Sequence, residues 1–148
     1  MKNVKHGADS VNAAKTKTII PTEHQTEIRV RYEETDAQGH VHHSNYLNYF
    51  EVARGEMLRE SGCSYRELED EGLVLVVVKA TCEYKRGAKY DDLLGIKTQL
   101  IRSKGARIIH RYEVYNGETL ICTGETTVAS TDRQGNVSRL PKWLCLDI

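Results

Sequence analysis

No run of apolar residues approaches the ~20 that a bilayer-crossing helix requires, so the sequence supplies no membrane-spanning segment. A charge excess of one sign is missing too. Lys plus Arg and Asp plus Glu both number 21, which removes the whole-chain electrostatic pull toward nucleic acid or an anionic membrane surface. The four cysteines, Cys63, Cys82, Cys122 and Cys145, form no CxxC pair and no Cys/His ligand spacing. Neither a zinc site nor a dithiol redox motif is expected, and they read as reduced thiols of a cytoplasmic protein. The basic residues near the start are not followed by a hydrophobic stretch, which argues against a secretory signal. Polar and rich in small residues, positions 1–22 are expected to be a flexible leader, with a single domain over 23–148.

What is present is a change of hydrophobic period. From Thr26, the residues Glu27, Arg29 and Arg31 alternate with Ile28, Val30 and Tyr32, as in a half-buried strand. Ser44-Asn45 then offers an N-cap to a segment in which Leu47, Phe50, Arg54, Met57 and Leu58 recur at helical spacing, and Gly62 suits the position after the helix. Residues 65–71 fit a short helical turn. Four β-rich segments follow, at 73–85, 93–103, 106–117 and 118–132, with turn signals at Tyr90-Asp91-Asp92 and Asn116-Gly117. A strand, one long helix and four strands in meander order predict an α+β fold, a helix packed on one antiparallel sheet.

The densest chemistry lies in YEETDAQGHVHHSNY, residues 32–46. Asp36 sits between a strand end and a helix start, where a carboxylate can cap a turn or act as nucleophile or general base. Gly39 permits a backbone conformation closed to other residues, or a close approach of substrate. His40, His42 and His43 raise metal ligation, but a full tetrahedral set is not evident, and no metal is expected. Glu51 lies about 12 Å beyond His43 along the helix axis. It is a second carboxylate candidate, or a solvated partner for Arg54 or Arg59. Arg102, Lys104 and Arg107 concentrate charge in a loop between strands, and Lys85-Arg86 form a smaller basic pair.

The pattern Y-x-x-T-D-x-x-G-H-V-H-H-S-N-Y-L-x-Y-F-E-x-A-R, followed by V-x-x-x-x-x-E-Y-x-x-x-A-x-Y-D-D-x-L, resembles the hotdog-fold acyl-CoA thioesterases over about residues 25–142. Within them it is most similar to the 4-hydroxybenzoyl-CoA thioesterase and YbgC-like branch. The resemblance implies a hotdog fold, with the sheet wrapped around the central helix, and homodimers assembling into homotetramers with sites formed between subunits. It implies an acyl-CoA substrate and no cofactor beyond the coenzyme A of that substrate. It assigns catalysis to Asp36, with His43 in proton transfer and Tyr32 orienting Asp36. It gives the oxyanion to main-chain amides near Gly39 and His43, and the CoA phosphates to Arg102, Lys104 and Arg107. Glu51 matches the carboxylate position of another hotdog branch. His40 departs from the pattern, because the branch commonly has an apolar residue there. Two other functions share the fold: an acyl-thioester dehydratase or hydratase, and a noncatalytic acyl-CoA binding protein. Tyr46, Tyr49 and Phe50 fit either an aromatic acyl pocket or the core.

Overall fold

The computed structural model describes residues 20–146. The first strand starts three residues before Thr26, as β1 (Glu23–Arg29). Its alternation ends at the fully buried Val30, whose amide donates to the Asp92 carbonyl at 2.9 Å. The chain then tightens into a 3-10 turn at Tyr32–Glu34. Tyr32 therefore leaves the inward row that alternation assigns to it and stands 78 % exposed. Most of the expected leader, residues 1–19, lies outside the described residues. Its last residues are packed: Ile20 joins the core beside Met57, Leu58 and Leu100, and the Thr22 carbonyl accepts the Leu100 amide at 2.9 Å.

Helix α1 (Asn45–Glu60) follows Ser44 and stops before Gly62, whose φ of +88° is the left-handed geometry expected there. Its buried face carries Tyr46, Tyr49, Phe50, Ala53, Met57 and Leu58, together with Arg54, while Leu47 is exposed. The apolar stripe is thus centred on the two tyrosines and Phe50. Helix α2 (Tyr65–Asp70) is capped by Ser64, whose hydroxyl accepts the Glu67 amide at 3.2 Å. No helix among the described residues is long and apolar enough to cross a membrane.

The remaining strands are β2 (Val74–Tyr84), β3 (Leu93–Lys104), β4 (Arg107–Asn116) and β5 (Thr119–Thr131). They build one five-stranded antiparallel sheet in the order β1-β3-β4-β5-β2. The meander expectation holds for β3-β4-β5 and fails for β2, which pairs with β5 at the opposite edge from β1. The reason lies in residues 85–92, which cross the end of the sheet instead of forming a tight hairpin. The Lys85 and Arg86 amides both donate to the Ile121 carbonyl, at 2.8 and 3.0 Å, and the Ala88 carbonyl accepts the Val41 amide at 2.8 Å. Asp91, at φ +72°, then turns the chain into β3.

Helix α1 lies on the inner face of the sheet. Phe50 stacks on Tyr112 with ring centroids 4.3 Å apart, in a cluster with Val30, Ala53, Leu94, Ile96 and Ile121. Gly124 on β5 makes room for that ring: a Cβ there would stand 2.5 Å from Phe50 Cζ and 2.8 Å from the Thr81 carbonyl oxygen. Backbone on one side and a fully buried ring on the other leave nothing free to move. Gly124→Ala is therefore expected to lower the unfolding free energy by about 1–3 kcal/mol, read as a shifted urea midpoint at unchanged slope.

Candidate active site

The Asp36 loop is closed at its neck. Thr35 and Val41 form an isolated antiparallel bridge, the Asp36 amide donates to the His40 carbonyl at 2.8 Å, and the Gly39 amide donates to the Asp36 carbonyl at 3.0 Å. Gly39 holds φ +83° with no atom within 4 Å of a would-be Cβ. Of its two possible uses, conformation rather than close packing is the one the loop needs. Asp36 Oδ1 accepts the Gln38 amide at 2.9 Å, which orients the carboxylate within the loop.

Three elements converge around it. The loop supplies Asp36, Gln38, His40 and Val41; the entry to α1 supplies His43 and Tyr46; the end of β2 and its crossing segment supply Tyr84, Lys85, Arg86 and Gly87. Together they line an open cleft of about 350 Å³. The Ser44 hydroxyl is engaged with His42 Nδ1 at 2.8 Å and does not cap α1, and the first turn of the helix has no acidic residue. The His42 ring accepts the Ser44 amide at 3.2 Å, but no carboxylate faces the positive end of the helix dipole there, which suits developing negative charge. The Tyr84 hydroxyl donates to the His43 carbonyl at 3.0 Å, and its ring meets the His43 ring edge-on at 6.3 Å. Burial, then the adjacent Cys82 thiol, push the Tyr84 phenol up to about 12, so it remains a donor throughout the neutral range.

His40 fits because of a glycine. A Cβ on Gly87 would lie 2.6 Å from His40 Cδ2, so the imidazole rests against bare backbone. His42 turns to Ser44, and its ring lies 4.2 Å from that of His43. Among the described residues no three His, Cys, Asp or Glu side chains converge as a metal set would.

The other expected residues are distributed differently. Tyr32 does not line the cleft; its ring packs edge-on against Tyr90 at 5.5 Å. Glu51 faces a separate opening of about 270 Å³ with Arg54, Tyr65, Glu69, Leu75, Val77 and Val128. There the buried Arg54 lies within electrostatic reach of the Tyr112 and Tyr65 phenols and of the Glu51 carboxylate, while Arg59 pairs with Glu56. Arg102, Lys104 and Arg107 are exposed at the β3-β4 hairpin, away from Asp36. Arg107 is in register with Ala129 and Ala129 with Val76, some eight residues of β2 from Tyr84, or about 25 Å. The basic residues at the cleft are Lys85 and Arg86. Tyr84 and Gly87 line the cleft without having stood out individually in the sequence, although the E-Y-x-x-x-A pattern surrounds them.

A model of the thioesterase-like superfamily matches residues 30–147. The chain is 39% identical over 106 residues to the acyl-CoA thioester hydrolase YbgC of Escherichia coli O157:H7, covering 71% of this chain and 79% of that one. The acyl-CoA thioesterase YbgC of Haemophilus influenzae is 37% identical over 106 residues, covering 71% and 78%. Among solved structures, a DHNA-CoA thioesterase from Staphylococcus aureus superposes with a TM-score of 0.77 at 32% identity, covering 80% of each chain.

Proposed function

This chain belongs to the thioesterase-like superfamily, and on that premise we propose that it hydrolyses an acyl-CoA to the free acid and coenzyme A in the cleft headed by Asp36. The observation that carries this reading is the convergence of a carboxylate, an uncapped helix start and a basic pair on one open surface. Asp36 attacks the thioester carbonyl, giving a mixed anhydride that water then opens, or it takes a proton from the water that attacks. In either course the carbonyl oxygen gains charge beside the amides at the start of α1, the C–S bond breaks, and CoA leaves as the thiolate. His43, on the rim, protonates that thiolate.

Lys85 and Arg86 offer charge-assisted contacts to the CoA phosphates. In the free protein Lys85 Nζ lies 3.2 Å from Glu83 Oε2, an exposed pair that a phosphate can displace at little cost. Replacing both by Ala is expected to raise KM for acyl-CoA by about tenfold with kcat within about twofold, and the difference should shrink as salt rises. Steady-state kinetics between low and high ionic strength measure this.

A second copy of the chain belongs to the proposal. Strand β2 is a sheet edge of 11 residues on which Val76, Val77 and Val78 are 39, 49 and 55 % exposed. A long apolar edge of this kind calls for a partner. Antiparallel pairing with the same strand of a second copy sets the start of one β2 against the end of the other, and so carries the partner's basic β3-β4 hairpin toward this cleft. Thiol release from short-chain, medium-chain and aromatic acyl-CoAs tests the activity and identifies the acyl class. Release of thiol without change in acyl unsaturation separates hydrolysis from a dehydratase or hydratase reaction.

A further inference from the structure

Two residues before Asp36, Glu34 is a carboxylate with only 8 % of its surface exposed, and its hydrogen bonds run in two directions. Oε1 accepts the Arg31 amide at 2.8 Å and the Tyr49 hydroxyl at 3.0 Å, while Oε2 meets Arg31 Nε at 3.3 Å. Its main-chain carbonyl accepts the His42 amide at 2.8 Å and Asn45 Nδ2 at 2.8 Å. The side chain therefore holds the entry of the Asp36 loop to the second turn of α1, and the main chain holds its exit and the first residue of α1. Asp36 and His43 each lie within two residues of a bond made by Glu34. Thr35 and Val41 close the neck just inside it.

We propose that Glu34 is a positioning residue: through Tyr49, Asn45 and His42 it fixes the Asp36 carboxylate relative to the start of α1. The proposal rests on the reading of Asp36 as the group that drives hydrolysis. The separation of nucleophile or base from the oxyanion donors is the geometric quantity to which such catalysis is most sensitive, a displacement of about 1 Å costing on the order of 100-fold. Substrate affinity supplied by Lys85, Arg86 and the cleft walls does not depend on it. Loss of Glu34 should therefore fall on kcat and spare KM.

The bonds distinguish substitutions. In Glu34→Gln the amide oxygen takes the place of Oε1 and retains both the Arg31 amide and the Tyr49 hydroxyl. Only the contact with Arg31 Nε is lost, and the Arg31 side chain is largely exposed and already paired with Glu33 at 2.9 Å. Glu34→Ala removes all three side-chain bonds, and Tyr49→Phe removes one while keeping the buried ring.

The experiment measures kcat, KM and peptide-resolved amide hydrogen exchange for the three variants and wild type. The expected result is a fall in kcat of about 30–100-fold for Glu34→Ala, a smaller fall for Tyr49→Phe, and Glu34→Gln within about fivefold of wild type, with KM within about twofold throughout. Exchange over residues 36–44 should quicken in the same order while β3-β4-β5 is unchanged. A folded Glu34→Ala protein with wild-type kcat overturns the proposal, as does a Glu34→Gln protein as impaired as Glu34→Ala. Should Glu34→Ala not fold, Tyr49→Phe with wild-type kcat and unchanged exchange overturns it. Failure of the hydrolase reading shows separately, as no turnover by wild type, and the exchange order then still decides whether Glu34 holds the loop.

Discussion

Asp36→Asn is expected to lower kcat for acyl-CoA hydrolysis by at least about 100-fold, the scale of a positioned acid–base group, with little change in KM. Asparagine is the informative replacement because its side-chain oxygen can still accept the Gln38 amide that Asp36 Oδ1 holds at 2.9 Å. The loop neck at Thr35 and Val41 and the φ of Gly39 are untouched. The variant thus removes a negative charge and a nucleophile without removing the loop's internal bonds. Thiol release by the two proteins at saturating acyl-CoA measures the effect. Equal turnover would eliminate Asp36 and bring forward Glu51, whose opening beside Arg54 and Tyr65 is a different place on the chain.

A second large effect concerns stability in acid. His110 on β4 is almost wholly buried, its Nδ1 has no hydrogen-bond partner, and its ring lies 6.2 Å from that of Tyr112. Burial, then the charge of Arg54, push the imidazole down to about 3 from its ordinary 6.5. Between those values the unfolded chain binds a proton that the folded chain refuses. Stability from this group is therefore complete above about pH 6.5 and is lost progressively as pH falls toward 3. Between pH 7 and pH 5, above the range where most carboxylates titrate, the loss should be about 2 kcal/mol, from 1.36 kcal/mol per pKa unit. Urea midpoints across that interval measure it. His110→Gln, which cannot be protonated there, should flatten the dependence; an equally steep fall in that variant would sink the assignment.

Local signals carried far in this chain. The end of α1 followed from Gly62 and the strands over 74–131 from β-branched alternation and Asn116-Gly117, because turn chemistry and side-chain period are decided by near neighbours. Helix α1 does start at Asn45, but the Ser44 hydroxyl expected to cap it bonds His42 instead. Asp36, Gly39 and His43 stood out for the same reason, as a compact run. Partners chosen at long range were not legible. That β2 lies beside β5 depends on the path of residues 85–92 across the sheet, and that path is what brings Lys85 and Arg86 to Asp36 while the β3-β4 hairpin stays away. Tyr32 continued an alternating pattern that the Val30–Asp92 bond interrupts. Tyr46, Tyr49 and Phe50 turned out to be buried, with only Tyr46 reaching the cleft wall. Glu34 gave no signal, because an acidic residue after a strand looks solvated until Tyr49 is brought onto it.

The sheet order also sets a sequence of events in folding. The β3-β4-β5 meander joins neighbours in the chain, whereas β1 must find β3 across some seventy residues and β2 must find β5 across some fifty. Closing those longer loops costs more chain entropy before any contact rewards it. The meander can therefore form as a platform while β1, α1 and β2 are still unattached. The cleft draws on the segments between β1 and α1 and between β2 and β3, so it is assembled in the final steps. A chain whose meander is in place still lacks its site, and the β3 and β5 edges that β1 and β2 will cover stand open during that interval, when association with another unfinished chain competes with completion.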